Sequence, residues 1–113
     1  MTLNRKLDAM WADPMERARV LTELQKFGTE AYERDAERVR LAILKLCEAR
    51  TERVIELVAV AKRDYRDVLM WAEYPAEYQA LWAIRPDLSN EERLRLEDIR
   101  RRDRQQYQDW LEH

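Results

Sequence analysis

Apolar residues along this chain recur in steps of three and four, the period of an α-helix. Val20, Leu21, Leu24 and Phe27 form the first such stripe. Asp13-Pro14 ahead of it reads as an N-cap followed by proline at the first helical position, and Gly28 behind it as a left-handed stop. A helix is therefore expected over about 14–27, preceded by a short one capped by Thr2. A third helix is predicted to open near Thr29, with Glu30 and Glu33 favourable to its dipole, and to run through Tyr32, Ala36 and Val39 into "LAILKLC". That run is apolar nearly all round, which marks a central helix. "CEART" is read as a helix–helix turn with Thr51 as the next cap. A long fourth helix then places Val54, Val58, Ala61, Tyr65, Val68 and Ala72 on one stripe, widened by Leu57, Leu69 and Trp71. Pro75 stops it and opens a short helix through Trp82 and Ile84. "RPDLSNEE" is a loop whose Ser89 and Glu92 match a capping box, so the last helix should span about 90–110. Leu94, Leu96 and Ile99 give that helix an inner face. Arg100 to Gln106 contains no apolar residue, so its far half should be solvated, or lie on something outside the core, until Tyr107 and Trp110.

"LAILKLC" and "VIELVAVA" have the apolar run length of buried strands. Their Ala, Leu, Glu, Lys and Arg neighbours favour helix, and no Gly or Pro lies between them. One Gly and three Pro in 113 residues are too few for the turns of an all-β or α/β fold. The expected fold is all-α: a small bundle of four to six helices with a long central antiparallel pair and a C-terminal helix. This length supports one modest core, so a single domain over 1–110 is expected. Leu111, Glu112 and His113 read as the remnant of an expression tag.

Composition narrows the function classes. With 46% hydrophobic and 39% charged residues the chain fits a soluble folded domain, and no run approaches a membrane span. The single Cys47 excludes an intramolecular disulfide and fits a reducing compartment, with the cytoplasm as the expected location. A net charge of −2 supplies no global field for nucleic acid or an anionic membrane. His113 is the one histidine, and it lies in the expected tag. A general base near neutral pH would therefore have to be a perturbed carboxylate, Lys62 or Cys47. Cys47 sits in an apolar run with nothing to activate it and reads as an inert buried thiol. A chain with one Gly has no glycine-rich phosphate loop. Its acids are interleaved with Arg, as in "ERDAERVR", so they read as surface ion pairs rather than metal ligands. No cofactor or metal is expected.

The stretch "KRDYRDVLMWAEYPAEYQALW" collects the residue types an active site would use. Trp71, Tyr74, Tyr78 and Trp82 follow one another at offsets of three, four and four across Pro75. They read as an aromatic cluster closing one end of the bundle, or as a partly exposed surface of the kind that anchors a partner. With Tyr107 and Trp110 they are the candidate protein-binding residues. Tyr65 is read as core, with its hydroxyl at the edge. Arg100, Arg101, Arg102 and Arg104 near Tyr107 and Trp110 are the alternative, a nucleic-acid surface. Acids and Arg balance between Glu91 and Asp109, which disfavours it.

"RVRLAILKLCE" followed by "LVAVAKRDYRDVLMWAEYP" resembles a pattern of short uncharacterised bacterial helical proteins, over Glu37 to Pro75. The resemblance implies a small all-helical fold and carries no functional residue with it. Its relatives have Gly or Asn in the turn where this chain has "EART". The leading expectation is a non-enzymatic helical domain that binds a protein, a second copy of itself included. Nucleic-acid binding, or an enzyme with carboxylates and tyrosines in a cleft at 62–82, are the alternatives.

Overall fold

The computed structural model describes residues 2–33, 35–82 and 89–112, the side chains of Leu81 and Trp82 excepted. Among them are six helices and no strand: α1 (Thr2–Met10), α2 (Pro14–Gln25), α3 (Ala36–Leu46), α4 (Thr51–Glu73), α5 (Pro75–Trp82) and α6 (Asn90–Glu112). The all-α class follows the apolar period and the scarcity of Gly and Pro. The chain divides into two compact units, Met1–Leu69 and Met70–His113. No described helix is long and apolar enough to cross a membrane.

In the first unit α1 packs against α2 and α3. Val20, Leu24, Phe27, Val39, Ala42, Ile43, Leu44 and Val54 are fully buried. Each larger side chain among them contributes roughly 1.5–3 kcal/mol by leaving water. Cys47 is buried too; its thiol donates to the Leu44 carbonyl at 3.1 Å. Burial pushes that thiol up, against weaker opposing backbone hydrogen bonds.

The helix ends follow their local signals. Asp13 Oδ1 accepts the Met15 N–H at 3.0 Å with Pro14 at the first helical position. Gly28 ends the α2 segment at φ 103°, where a Cβ would stand 2.8 Å from that of Ala36. Conformation and space both demand glycine there. Arg40 reaches back from α3, donating Nε to the Leu24 carbonyl (3.1 Å) and Nη2 to that of Phe27 (2.6 Å). The Leu24 carbonyl also accepts the Phe27 N–H at 3.2 Å, and the guanidinium fork adds donors to these carbonyls at the end of α2.

The third helix opens later than its sequence suggests, at Ala36 rather than near Thr29. Glu33, read above as a first-turn acid, is folded back instead. Its Oε1 accepts the N–H groups of Gly28 (3.0 Å), Thr29 (3.1 Å) and Glu30 (3.2 Å). Its Oε2 accepts Lys62 Nζ at 3.0 Å, and the same ammonium donates to the Lys26 carbonyl at 2.8 Å. One carboxylate thus organises the turn, Tyr32 is left 65% exposed, and Asp35 enters α3 in the left-handed region at φ 54°.

The break between α3 and α4 falls within "CEART", where Glu48 (φ 53°) and Ala49 (φ 58°) are both left-handed. Arg50, not Thr51, takes the cap position, because its carbonyl accepts the Val54 N–H at 3.2 Å. The Thr51 hydroxyl instead donates to Glu16. Left-handed backbone costs an L-residue about 1–2 kcal/mol, and Gly escapes most of that. Ala49→Gly is therefore expected to stabilise the protein by about 0.5–1 kcal/mol, read as a higher urea midpoint with an unchanged slope.

α4 contains one non-helical residue, Asp64, at φ −157° and ψ 101°. Its Oδ1 accepts the Arg66 N–H at 3.0 Å, the bond of an N-cap, so α4 is two helical segments joined at Asp64. Tyr65, beside the break, is half-buried with its ring 6.2 Å from that of Phe27 at a 59° tilt.

Candidate functional site

The second unit holds all six aromatic candidates, and its frame is set at the start of α5. Tyr74 closes α4 by donating its N–H to the Met70 carbonyl (2.9 Å). It opens α5 by accepting the Tyr78 N–H on its own carbonyl (2.9 Å). Tyr74 thus occupies the N-cap position with a side chain unsuited to capping, and Pro75 has no N–H. The next two donors are satisfied from α6. Asp103 accepts the Ala76 N–H on Oδ1 (3.3 Å) and the Glu77 N–H on Oδ2 (2.8 Å), and is itself only 4% exposed. One turn earlier on α6, Arg100 donates Nε (3.0 Å) and Nη2 (2.6 Å) to Glu77 Oε1. That hydrogen bond, and then the Glu77 charge, raises the guanidinium above its already high range. A carboxylate at the positive end of α5 and a fork onto its third residue fix α5 on α6.

Burial along α6 differs from the expected inner face. The far half, Arg100 to Gln106, expected to be solvated or to lie on something outside the core, is exposed at every position except Asp103, which is buried, and Tyr107 follows as a second buried residue. Leu94 is 65% exposed, and Leu96 and Ile99 are half-buried. The inner stripe is Leu96, Ile99, Asp103, Tyr107 and Trp110, at steps of three, four, four and three, with a cap in the middle of an otherwise apolar series. Leu94 lies on the opposite side of the helix. Ser89 and Glu92 form the expected capping box: Glu92 N–H to Ser89 Oγ (3.2 Å) and Ser89 N–H to Glu92 Oε2 (3.3 Å). The rest of the expected loop before Ser89, and Ile84, lie outside the described residues.

The aromatic candidates separate by burial. Tyr107 is buried, and its ring lies 5.7 Å from that of Trp110 at a 32° tilt, within range of a favourable pair. Trp110, Trp71, Tyr74 and Tyr78 are half-buried, each presenting part of its surface to solvent. Trp82 is the last residue of α5, and its side chain is outside the described set.

The arginine candidates are largely engaged. Arg100 is bound to Glu77, Arg102 to Asp98 at 3.0 Å, and Arg101 lies 3.9 Å from the same carboxylate; all four, Arg104 included, are exposed. Of the carboxylates in the stretch read as a possible enzyme cleft, Asp64 joins Glu33 in one pocket, and both are held below their usual range. A cleft of about 270 Å³ in the first unit brings Glu33, Lys62, Asp64 and Tyr65 to one place. Burial alone would push the Glu33 carboxyl up. The Lys62 bond and the N–H groups of Glu30 and Gly28 outweigh it and hold it below its usual range. The Arg66 side chain, then its N–H, lowers Asp64. A carboxylate held low is a weak base, the opposite of the raised pKa that proton transfer near neutrality asks of an acid.

The residues that organise both units, Glu33, Lys62, Arg40, Glu77 and Asp103, were not singled out as such in the sequence. Only Asp103 leaves a trace there, as the polar interruption of a helical stripe. Comparison with protein-family models, curated proteins and solved structures finds no match to this chain.

Proposed function

We propose that this chain is a non-enzymatic interaction domain whose binding face is the aromatic end of its second unit. Trp71, Tyr74, Tyr78 and Trp110 meet a protein partner there, a second copy of the chain included. The observation that carries this reading is that these four rings stay part-exposed while Asp103 and Arg100 hold α5 rigidly on α6. Aromatic side chains on a fixed frame lose little entropy on binding, and Trp and Tyr are the residues most enriched among binding hot spots. The lone buried thiol is in keeping with a cytoplasmic setting.

Nucleic-acid binding through Arg100, Arg101, Arg102 and Arg104 has less support, because three of the four already face a carboxylate. Phosphate would have to compete with those carboxylates, and the affinity gained would fall steeply with salt.

Sedimentation velocity across a hundredfold concentration range tests self-association, and affinity capture with the purified chain tests a foreign partner. In either case Trp71→Ala with Trp110→Ala is expected to weaken the complex by at least about tenfold, since a hot-spot truncation costs about 2 kcal/mol or more. A chain that stays monomeric throughout, and captures nothing that the double variant loses, would overturn the reading.

A further inference from the structure

The interruption in α4 has no local cause in the sequence. Around Asp64 the chain reads "AKRDYRDV", without Gly or Pro. Buried Val54, Val58, Ala61 and Val68 keep the register of a single unbroken helix across it, at steps of four, three and seven. Helix breaks ordinarily trace to Pro, Gly or an inserted group. Here what marks the break is a set of side-chain contacts. Asp64 Oδ1 accepts both the N–H (3.0 Å) and the Nε (3.0 Å) of Arg66, and Oδ2 accepts Nη2 at 3.1 Å. On one side of the break Lys62 is tied to Glu33 and to the Lys26 carbonyl. On the other, the Tyr65 ring rests on Phe27. The cleft lined by Tyr32, Ala61, Arg63 and Arg66 lies at the same point.

We propose that α4 is a two-state element with Asp64 as its latch: a capped break, as seen here, and a continuous helix over the same residues. Two arrangements compete for the same backbone groups. In the continuous helix the Arg66 N–H bonds to the Lys62 carbonyl four residues earlier; in the broken one Asp64 heads a new segment whose first turn is Tyr65, Arg66 and Asp67, and its Oδ1 takes the Arg66 N–H. The apolar register and the absence of a breaker favour continuity. The cap, the guanidinium fork and the Tyr65–Phe27 contact favour the break. The opposing contributions are few and similar in kind, the condition for a bistable element. Closing the break turns Tyr65 away from Phe27 and removes the Asp64–Arg66 wall of the cleft. Anything that binds in that cleft then selects the broken state, and anything that draws off the Asp64 carboxylate or the Arg66 guanidinium selects the continuous one.

Amide hydrogen exchange on the full chain separates the states residue by residue. In the unaltered protein Tyr65 and Asp67 are expected to exchange like residues of a first helical turn. Asp64→Ala and Asp64→Glu, good helix formers without the cap, are expected to slow exchange at both amides by about tenfold or more. Asp64→Asn and Asp64→Ser keep a capping oxygen and should exchange as the unaltered chain does. Val58 and Ala61, inside the first segment, report whether each variant remains folded. Four folded variants with one exchange pattern at Tyr65 and Asp67 would overturn the proposal, and so would slowing by Asn or Ser equal to that by Ala. Should Asp64→Ala fail to fold, Asp64→Glu against Asp64→Asn decides by the same criterion.

Discussion

Glu33→Ala is expected to cost about 3 kcal/mol of folding stability, the largest single loss among the polar residues of the first unit. The Glu33 side chain is 1% exposed and accepts from three consecutive backbone donors and one ammonium. Three hydrogen bonds to one charged acceptor are lost together, each worth about 1.5–3 kcal/mol, and water reaching the exposed Gly28, Thr29 and Glu30 returns part of that sum. Lys62, 39% exposed at its side chain, regains water easily, so its lost ion pair adds little. Glu33→Gln keeps the shape and one acceptor oxygen and should cost about 1–2 kcal/mol. Urea unfolding at pH 7 gives both values.

The same carboxylate sets part of the acid sensitivity. Its folded pKa lies below the unfolded one. Its stabilisation is therefore complete above about pH 4.3, the unfolded value, and is lost as pH falls through the folded pKa. Asp64, also lowered but partly exposed, acts with the same sign and less weight. Stability measured from pH 7 down to pH 3 is expected to fall more steeply in the unaltered protein than in Glu33→Gln. Parallel curves would assign the acid limb to other groups.

How much of this was legible in the sequence depends on how far each stabilising contact reaches along the chain. Contacts within about four residues were readable: the Asp13-Pro14 start, the Gly28 stop, the Ser89–Glu92 box and the Pro75 junction all stand where their residue types place them. Glu33 also acts within five residues, and was misread because an acid three or four positions into a helical pattern serves the dipole equally well. Its true role depends on Lys62, 29 residues away, and no spacing rule reports that. The turn at Glu48 and Ala49 was placed within "CEART" with no Gly to mark it, because neither residue is one that left-handed backbone prefers. The Asp64 break was unreadable, since the apolar stripe runs straight through it. For the aromatic end, the sequence placed the rings on the right helices but could not divide them into the buried Tyr107 and the part-exposed Trp71, Tyr74, Tyr78 and Trp110. That division depends on how α5 is clamped to α6.

Asp103→Ala is expected to cost about 2–3 kcal/mol and lower the melting temperature by on the order of 10 °C. Tyr74 cannot cap α5, and Pro75 contributes no donor, so the Asp103 carboxylate answers the first two N–H groups of that helix, at 3.3 and 2.8 Å. A local N-cap is worth about 0.5–2 kcal/mol. This one is buried and charged at the positive end of a helix dipole, which places it at the top of that range or above. Asp103→Leu completes the apolar stripe of Leu96, Ile99, Tyr107 and Trp110 and distinguishes capping from packing. If burial were what position 103 supplies, Leu would stabilise; if capping is, Leu is expected to cost as much as Ala. Asp103→Asn retains an acceptor oxygen and should recover about half the loss. Glu77→Gln weakens the Arg100 fork beside the cap, and the two should couple, because both fix the same turn of α5 on α6. A double-mutant cycle between Asp103→Asn and Glu77→Gln is expected to show a coupling of at least about 0.5 kcal/mol. Additive costs would mean that each holds α5 independently.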